Sequence, residues 1–287
     1  MKYLKYFKNS TAVGSGVEVN LPNVSYLQEA NVLFVPGSDD TATVVYNSNT
    51  GEIEVAPNYS QMYLTFEALE TTAFGYATNN TSKVIYYSTN DGNTWAQLGR
   101  PTDTSAPILN AGEKIIVKCD RRNGTFDMNH YINFASIDNF KVYGNVMSVV
   151  YGDDFRNQTS LSGMPYACMA LFMNCTNLMD VSNLILPAME LSDGCYFNMF
   201  GGCTSITTAP ELPALNLKQL SYYYMFNGCS SLNYIKAMLL SDPSSEASMW
   251  VAGVSPTGTF VKNSAATWDV TGSSGVPTGW TVETADA

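Results

Sequence analysis

The chain has 287 residues, more than the roughly 100–200 of a usual single domain, so two or three structural units are expected. Hydrophobic residues make up 45% and exclude wholesale disorder, while charged residues are only 14%, against a usual ~25%. A formal net charge of -11 excludes non-specific nucleic-acid binding, because neutralising phosphates requires clustered Lys and Arg.

Residues 1–56 read as an N-terminal attachment segment. Lys2, Lys5 and Lys8 recur every three residues, with Tyr3, Leu4, Tyr6 and Phe7 between them. Two readings stay open: a frayed or docked terminus, or a peg that places Tyr3, Tyr6 and Phe7 in a partner surface while the lysines face acidic groups. The stretch lacks the apolar run of about 7–15 residues that a secretory signal needs. No run of about 18 apolar residues occurs anywhere, so no membrane insertion is expected. Farther on, Val44–Tyr46 and Ile53–Val55 flank Asn47-Ser48-Asn49-Thr50-Gly51. This predicts a β-hairpin, since Asn and Gly tolerate positive φ.

Residues 57–150 predict a β-sandwich. Leu64, Phe66 and Ala68 alternate with Tyr63, Thr65 and Glu67. Further strands are predicted at Lys83–Ser88, Lys114–Cys119, Phe140–Tyr143 and Val146–Val150, with a turn at Asn123-Gly124. Short β-rich runs with turn signals between them fit an immunoglobulin-like two-layer domain. Within it, Ser88-Thr89-Asn90-Asp91-Gly92-Asn93-Thr94-Trp95 resembles the Asp-box hairpin of sialidases and unrelated β proteins. That motif is a folding device, and a sialidase would also need convergent arginines. Arg121 and Arg122 are sequence neighbours whose side chains diverge in an extended segment.

Residues 151–240 carry the strongest signal, a repeat. Leu171-Phe172-Met173-Asn174-Cys175-Thr176-Asn177-Leu178 returns as Met199-Phe200-Gly201-Gly202-Cys203-Thr204-Ser205-Ile206 and as Met225-Phe226-Asn227-Gly228-Cys229-Ser230-Ser231-Leu232. Leu186-Pro187-Ala188 recurs as Leu212-Pro213-Ala214. A period of about 20–29 residues with regular Leu, Phe and Cys predicts a leucine-rich-repeat solenoid. One coil cannot bury its own apolar face, so the columns Phe172/Phe200/Phe226, Cys175/Cys203/Cys229 and Leu178/Ile206/Leu232 are expected to form the repeat core. A short helix, as at Met169–Met173, is predicted to hold each Phe. Strands are predicted at Leu178–Val181, Ile206–Ala209 and Leu232–Ile235. Residues 241–287, with Trp250, Phe260, Trp268 and Trp280, are expected to form a small β cap over the last layer. The fold class expected is mainly β with a short α/β solenoid.

The F-x-x-C-x-x-L/I pattern with its following L-P resembles the BspA-type, or treponemal, leucine-rich repeats of bacterial surface proteins. A wider resemblance is to head or tail fibre proteins of crAss-like and other phages of gut Bacteroidales. It rests on Leu21-Pro22-Asn23-Val24-Ser25-Tyr26, the Asp-box-like hairpin, Gly144-Asn145-Val146-Met147-Ser148, the repeats, and the ending Gly279-Trp280-Thr281-Val282. The resemblance implies a virion protein assembled in the host cytoplasm. Its implied partners are other capsid or tail proteins, further copies of itself as a homotrimer or alternatively a dimer, and a host-surface glycan or protein. The alternative is a bacterial surface adhesin built on the same repeats.

Catalytic chemistry is not legible. Six cysteines lack any CxxC pair and His130 is the single histidine, so no metal or cofactor is expected and the thiols read as buried and reduced. Glu67, Glu70, Asp153 and Asp154 offer carboxylates, but a glycosidase needs two held about 5–9.5 Å apart in a cleft. Asp153 and Asp154 are predicted to face opposite sides of a strand. The chain is expected not to be an enzyme.

Overall fold

The computed structural model divides the chain into two compact units, Met1–Met62 and Tyr63–Ala287. It describes residues 3–6, 17–20, 42–47, 52–79, 84–120 and 127–285. In the first unit, β1 (Tyr3–Tyr6) pairs antiparallel with β2 (Val17–Asn20), setting Lys5 opposite Glu18. The expected peg residues Tyr3, Lys5 and Tyr6 therefore belong to a paired strand, while Lys2, Phe7 and Lys8 lie outside the described residues. β3 (Ala42–Asn47) and β4 (Glu52–Pro57) form the second antiparallel pair, with Val44 opposite Val55 and Tyr46 opposite Ile53.

The second unit is mainly β. It opens with β5 (Leu64–Ala68), β6 (Thr72–Asn79), β7 (Ile85–Ser88), β8 (Ala96–Gln97), β9 (Ile108–Leu109), β10 (Lys114–Cys119), β11 (Ile132–Ser136) and β12 (Phe140–Asn145). β13 (Leu178–Asp180) and β14 (Leu184–Ile185) come later in the chain and join β12 in parallel. One sheet runs β13-β12-β5-β10-β7-β8, and a second runs β11-β6-β9. The two face each other through aromatic rings. Phe66 of β5 meets Phe74 of β6 at 4.1 Å between centroids and Phe134 of β11 at 5.0 Å. Phe140 of β12 meets Phe74 at 6.0 Å. Burying these rings supplies roughly 1.5–3 kcal/mol each.

Two expectations fail in this region. Val146–Val150 is not a strand; β12 ends at Asn145 and α1 (Ser148–Tyr151) follows. The Asn145 side chain accepts the Met147 N–H at 2.9 Å, which turns the chain out of the sheet. The Ser148 hydroxyl then bridges the Leu64 N–H and the Val117 carbonyl, so this β-branched run is held by tertiary contacts against its own strand propensity. Asp153 and Asp154 lie in a 3₁₀ turn, Gly152–Asp154, rather than on a strand. The Asn123-Gly124 turn lies outside the described residues.

Residues 166–253 form stacked layers, but not with the predicted helices. Met169–Met173 belongs to a ribbon of tight turns in which every fourth residue has positive φ: Tyr166, Ala170 and Asn174 in one layer, Gly194, Asn198 and Gly202 in the next, Leu220, Tyr224 and Gly228 in the third. A left-handed residue every four positions forbids the continuous i→i−4 bonding of an α-helix. It turns alternate N–H groups toward the next layer instead. Cys168, Ala170, Phe172 and Asn174 donate to the carbonyls of Cys195, Phe197, Met199 and Gly201 at 2.7–2.9 Å. Phe200 and Gly202 donate to Met225 and Asn227, and Phe226 and Gly228 donate to Trp250 and Ala252. The ladder thus extends past residue 240 into a fourth layer. There Met249 and Gly253 take the positive-φ positions of Tyr224 and Gly228.

Both ends of the ladder are closed. The first layer accepts from the Phe134 N–H onto Leu171 O, and the Asn133 side chain bonds Ala170 and Met173. At the last layer the Val251 N–H bonds Ser273 O and the Trp250 indole bonds Gly275 O. Beside the ribbon, β15 (Tyr234–Ala237), β16 (Thr259–Asn263) and β17 (Thr281–Ala285) pair in parallel. Of the other predicted repeat strands, β13 covers Leu178–Asp180, whereas Ile206–Ala209 contributes a single bridge between Thr208 and Tyr234.

Candidate functional site

The ribbon sets one column of residues inward at each layer. Phe172 and Phe200 stack at 5.4 Å and 16°, and Phe200 and Phe226 at 5.4 Å and 9°. Phe134 of the sandwich precedes them at 6.2 Å from Phe172, and Trp250 follows at 6.5 Å from Phe226. Leu178, Ile206 and Leu232 are fully buried beside this column. Trp250 occupies the ladder position of Met199 and Met225, and Val251 that of Phe226. The fourth layer therefore escapes a search for Phe and Cys; the usable signal was Gly253, 25 positions after Gly228.

The cysteine column has a bonding role that its small size alone does not reveal. The thiol of Cys203 donates to Phe172 O at 3.0 Å and that of Cys229 to Phe200 O at 3.1 Å. Cys175 donates to Phe134 O at 3.1 Å. Each phenylalanine carbonyl so bonded within the ribbon also takes the N–H of the cysteine three residues on. Burial pushes the Cys175 and Cys229 thiols up to about 12, and that of Cys203 well above its usual range. No disulfide joins the six cysteines, and all of them are buried. Neutral, dry thiols of this kind are poor nucleophiles.

Outward, the first three layers expose a band without charge. No residue of 166–174, 194–202 or 220–228 is ionic. Phe197 and Tyr223 stack at 5.1 Å and 10°, and Tyr224 meets Tyr223 edge-on at 4.3 Å. All three rings are partly exposed. The Tyr223 hydroxyl has its pKa raised by its hydrogen bond to Tyr224. Amides interleave with the rings: Asn198 donates to the Met173 sulfur at 2.9 Å, and Asn227 reaches Met249 O at 3.5 Å.

A concave site lies on the sandwich, at the end of the Asp-box-like hairpin. Ser88 Oγ takes the N–H groups of Asn90 and Gly92, and Asn90 Oδ1 takes that of Thr94. Asp91 and Gly92 both have positive φ, so the turn closes and delivers Trp95. The Lys118 ammonium sits 4.0 Å over the Trp95 ring, and Tyr63 meets it edge-on at 5.3 Å. Asp153 accepts from Tyr63 Oη at 2.6 Å and from Lys118 Nζ at 2.8 Å. The cleft flanked by Trp95, Lys118 and Asp153 measures about 440 Å³ and is also lined by Tyr86, Asp120 and Asp154.

Partial burial raises the Asp153 pKa, but the Lys118 and Tyr63 hydrogen bonds outweigh it and leave the carboxyl below its ordinary value. Burial, with Asp153 alongside, lifts the Tyr63 hydroxyl to about 12. Asp153 is thus an ionised anchor rather than an acid, and Lys118 already covers the Trp95 face. Glu67 is tied to Lys141 at 2.9 Å and to the Tyr143 hydroxyl at 3.1 Å, and Glu70 accepts from Asn139. His130 pairs with Asp127 on an exposed turn. Among the described residues no group of three or more His, Cys, Asp or Glu side chains has the arrangement of a metal site, and no helix is long and apolar enough to cross a membrane.

Compared with known protein families, curated proteins and solved structures, the chain matches none.

Proposed function

We propose that this chain is a non-enzymatic virion protein, a head or tail fibre of a phage of gut Bacteroidales, which displays a short leucine-rich-repeat solenoid to the host surface. In this reading the sandwich is immunoglobulin-like and serves as the base of the solenoid. The observation that carries the proposal is the uninterrupted ladder from Phe134 to Trp250, closed at both ends, which leaves the side of the stack as its free surface. Such a ladder is rigid by construction, because each layer is fixed by backbone bonds to the next and by stacked rings beneath. The candidate carboxylates Glu67, Glu70 and Asp153 support a structural role, each being engaged by a neighbouring cation, hydroxyl or amide. Attachment falls to the first unit, against a capsid or tail protein, with the chain assembled as a homotrimer.

Purified particles test this reading. Peptides of the chain should be found in caesium-banded virions, and antibodies against it should label heads or tails. Absence from particles, with labelling of the outer surface of uninfected bacteria, would replace the fibre by a bacterial adhesin. Monomeric mass by light scattering would remove the trimer.

A further inference from the structure

We propose that the outward band of the repeat layers is a binding site for a neutral polysaccharide, centred on Phe197, Tyr223 and Tyr224. The inference deepens the host-surface reading and rests on it for its biological setting. Three observations converge on the ligand class. The rings are held rather than loose, with Phe197 stacked on Tyr223 and Tyr224 set at 84° to it, so a partner meets ordered ring surfaces in two orientations. Ordered aromatic surface binds apolar faces, including the C–H faces of sugar rings, at small entropic cost. Next to the rings stand the amides of Asn198 and Asn227 and the tyrosine hydroxyls, groups that both donate and accept and so suit ligand hydroxyls.

Charge decides the class. A carboxylated or sulfated glycan would need Lys or Arg on the band, and residues 166–174, 194–202 and 220–228 contain neither. The net charge of -11 repels polyanions further. A protein partner fits less well. Protein hot spots gather at the centre of one fully desolvated patch, whereas the rings of this band are partly exposed and spread over successive layers. Repetition matches a repeating ligand: aromatic and amide groups recur at adjacent layers, as the units of a polymer do.

Affinity electrophoresis of the whole chain in native gels containing barley β-glucan, xylan or yeast mannan tests the site, with heparin as the anionic control. Retardation by at least one neutral polymer and none by heparin is expected. Tyr223→Ala and Tyr224→Asn should each weaken binding at least tenfold without shifting the melting point. Asn is chosen at position 224 because it accepts positive φ, which the backbone there requires. Lys118→Ala, at the sandwich cleft, should bind as the parent does. No retardation by any of the three neutral polymers overturns the proposal, as does retardation by heparin alone or binding that survives both tyrosine substitutions. Loss only in Lys118→Ala would move the site to the cleft and overturn it too. Cell binding that resists periodate but not protease would assign the band to a protein partner. These outcomes are separate from the particle test: a chain found in virions that binds no neutral glycan loses this inference alone, and one that binds glycan but is missing from virions loses the fibre reading alone.

Discussion

A single side chain in the repeat core has three neighbours that matter: the ring before it, the ring after it, and the thiol that reads its carbonyl. Phe200 has all three, so Phe200→Ala should cost about 3–5 kcal/mol, measured by urea denaturation. A melt equal to the parent would remove Phe200 from the core. Tyr196 is the opposite case. Its hydroxyl is buried near Cys168, Cys195 and Tyr222 and has no hydrogen-bond partner among the described residues. An unsatisfied buried hydroxyl costs about 1–3 kcal/mol, so Tyr196→Phe should raise stability by about 1 kcal/mol. The thiols add a pH dependence. Burial lifts Cys175 and Cys229 to about 12 in the folded chain and Cys203 well above its usual range, against about 8.5 for an unfolded cysteine. Above about pH 8.5 the unfolded chain therefore loses protons that the folded chain keeps. Stability contributed by the neutral thiols is complete below that pH and falls as pH rises toward 12. The urea midpoint should drop between pH 8 and 10, and less steeply in Cys203→Ala than in the parent.

At the level of elements, the period of the core was legible and the backbone that delivers it was not. Phe, Cys and Leu recur because the inward columns demand apolar volume, and that demand appears directly as residue type. The turn ribbon depends on φ, and Ala170, Leu220 and Tyr224 hold positive values that their residue types do not announce. Read locally, Met169–Met173 is a helix; the neighbouring layers make it a ribbon by accepting its N–H groups. For the same reason Val146–Val150, a strand by propensity, gave way to the bonds of Asn145 and Ser148. The outward band was hidden more thoroughly, since nothing in the sequence says which tyrosines face out. Gly194 and Gly228 test the ribbon. Both have positive φ, which costs a non-glycine residue roughly 1–2 kcal/mol. A methyl at Gly228 meets nothing closer than 3.7 Å, whereas one at Gly194 enters the Tyr166 ring. Gly194→Ala should therefore destabilise more than Gly228→Ala in paired urea titrations, and the reverse order would contradict this backbone.

The whole molecule divides after Met62, and the two units differ in how they were legible. The pairing of Ala42–Asn47 with Glu52–Pro57 followed from apolar runs around an Asn/Gly stretch. The start of the second unit did not, because Tyr63 belongs to it through distant partners, Asp153 and Trp95. The second unit carries its own continuous core, from the sandwich rings through the Phe column to Trp280. A fragment of residues 63–287 should therefore fold alone, with a cooperative melt close to that of the full chain. If the first unit serves attachment, the same fragment should keep glycan retardation yet fail to enter particles during infection. The two readouts separate the causes: a fragment that melts early would show that the core is shared across residue 62, and one that folds and still enters particles would place attachment in the second unit.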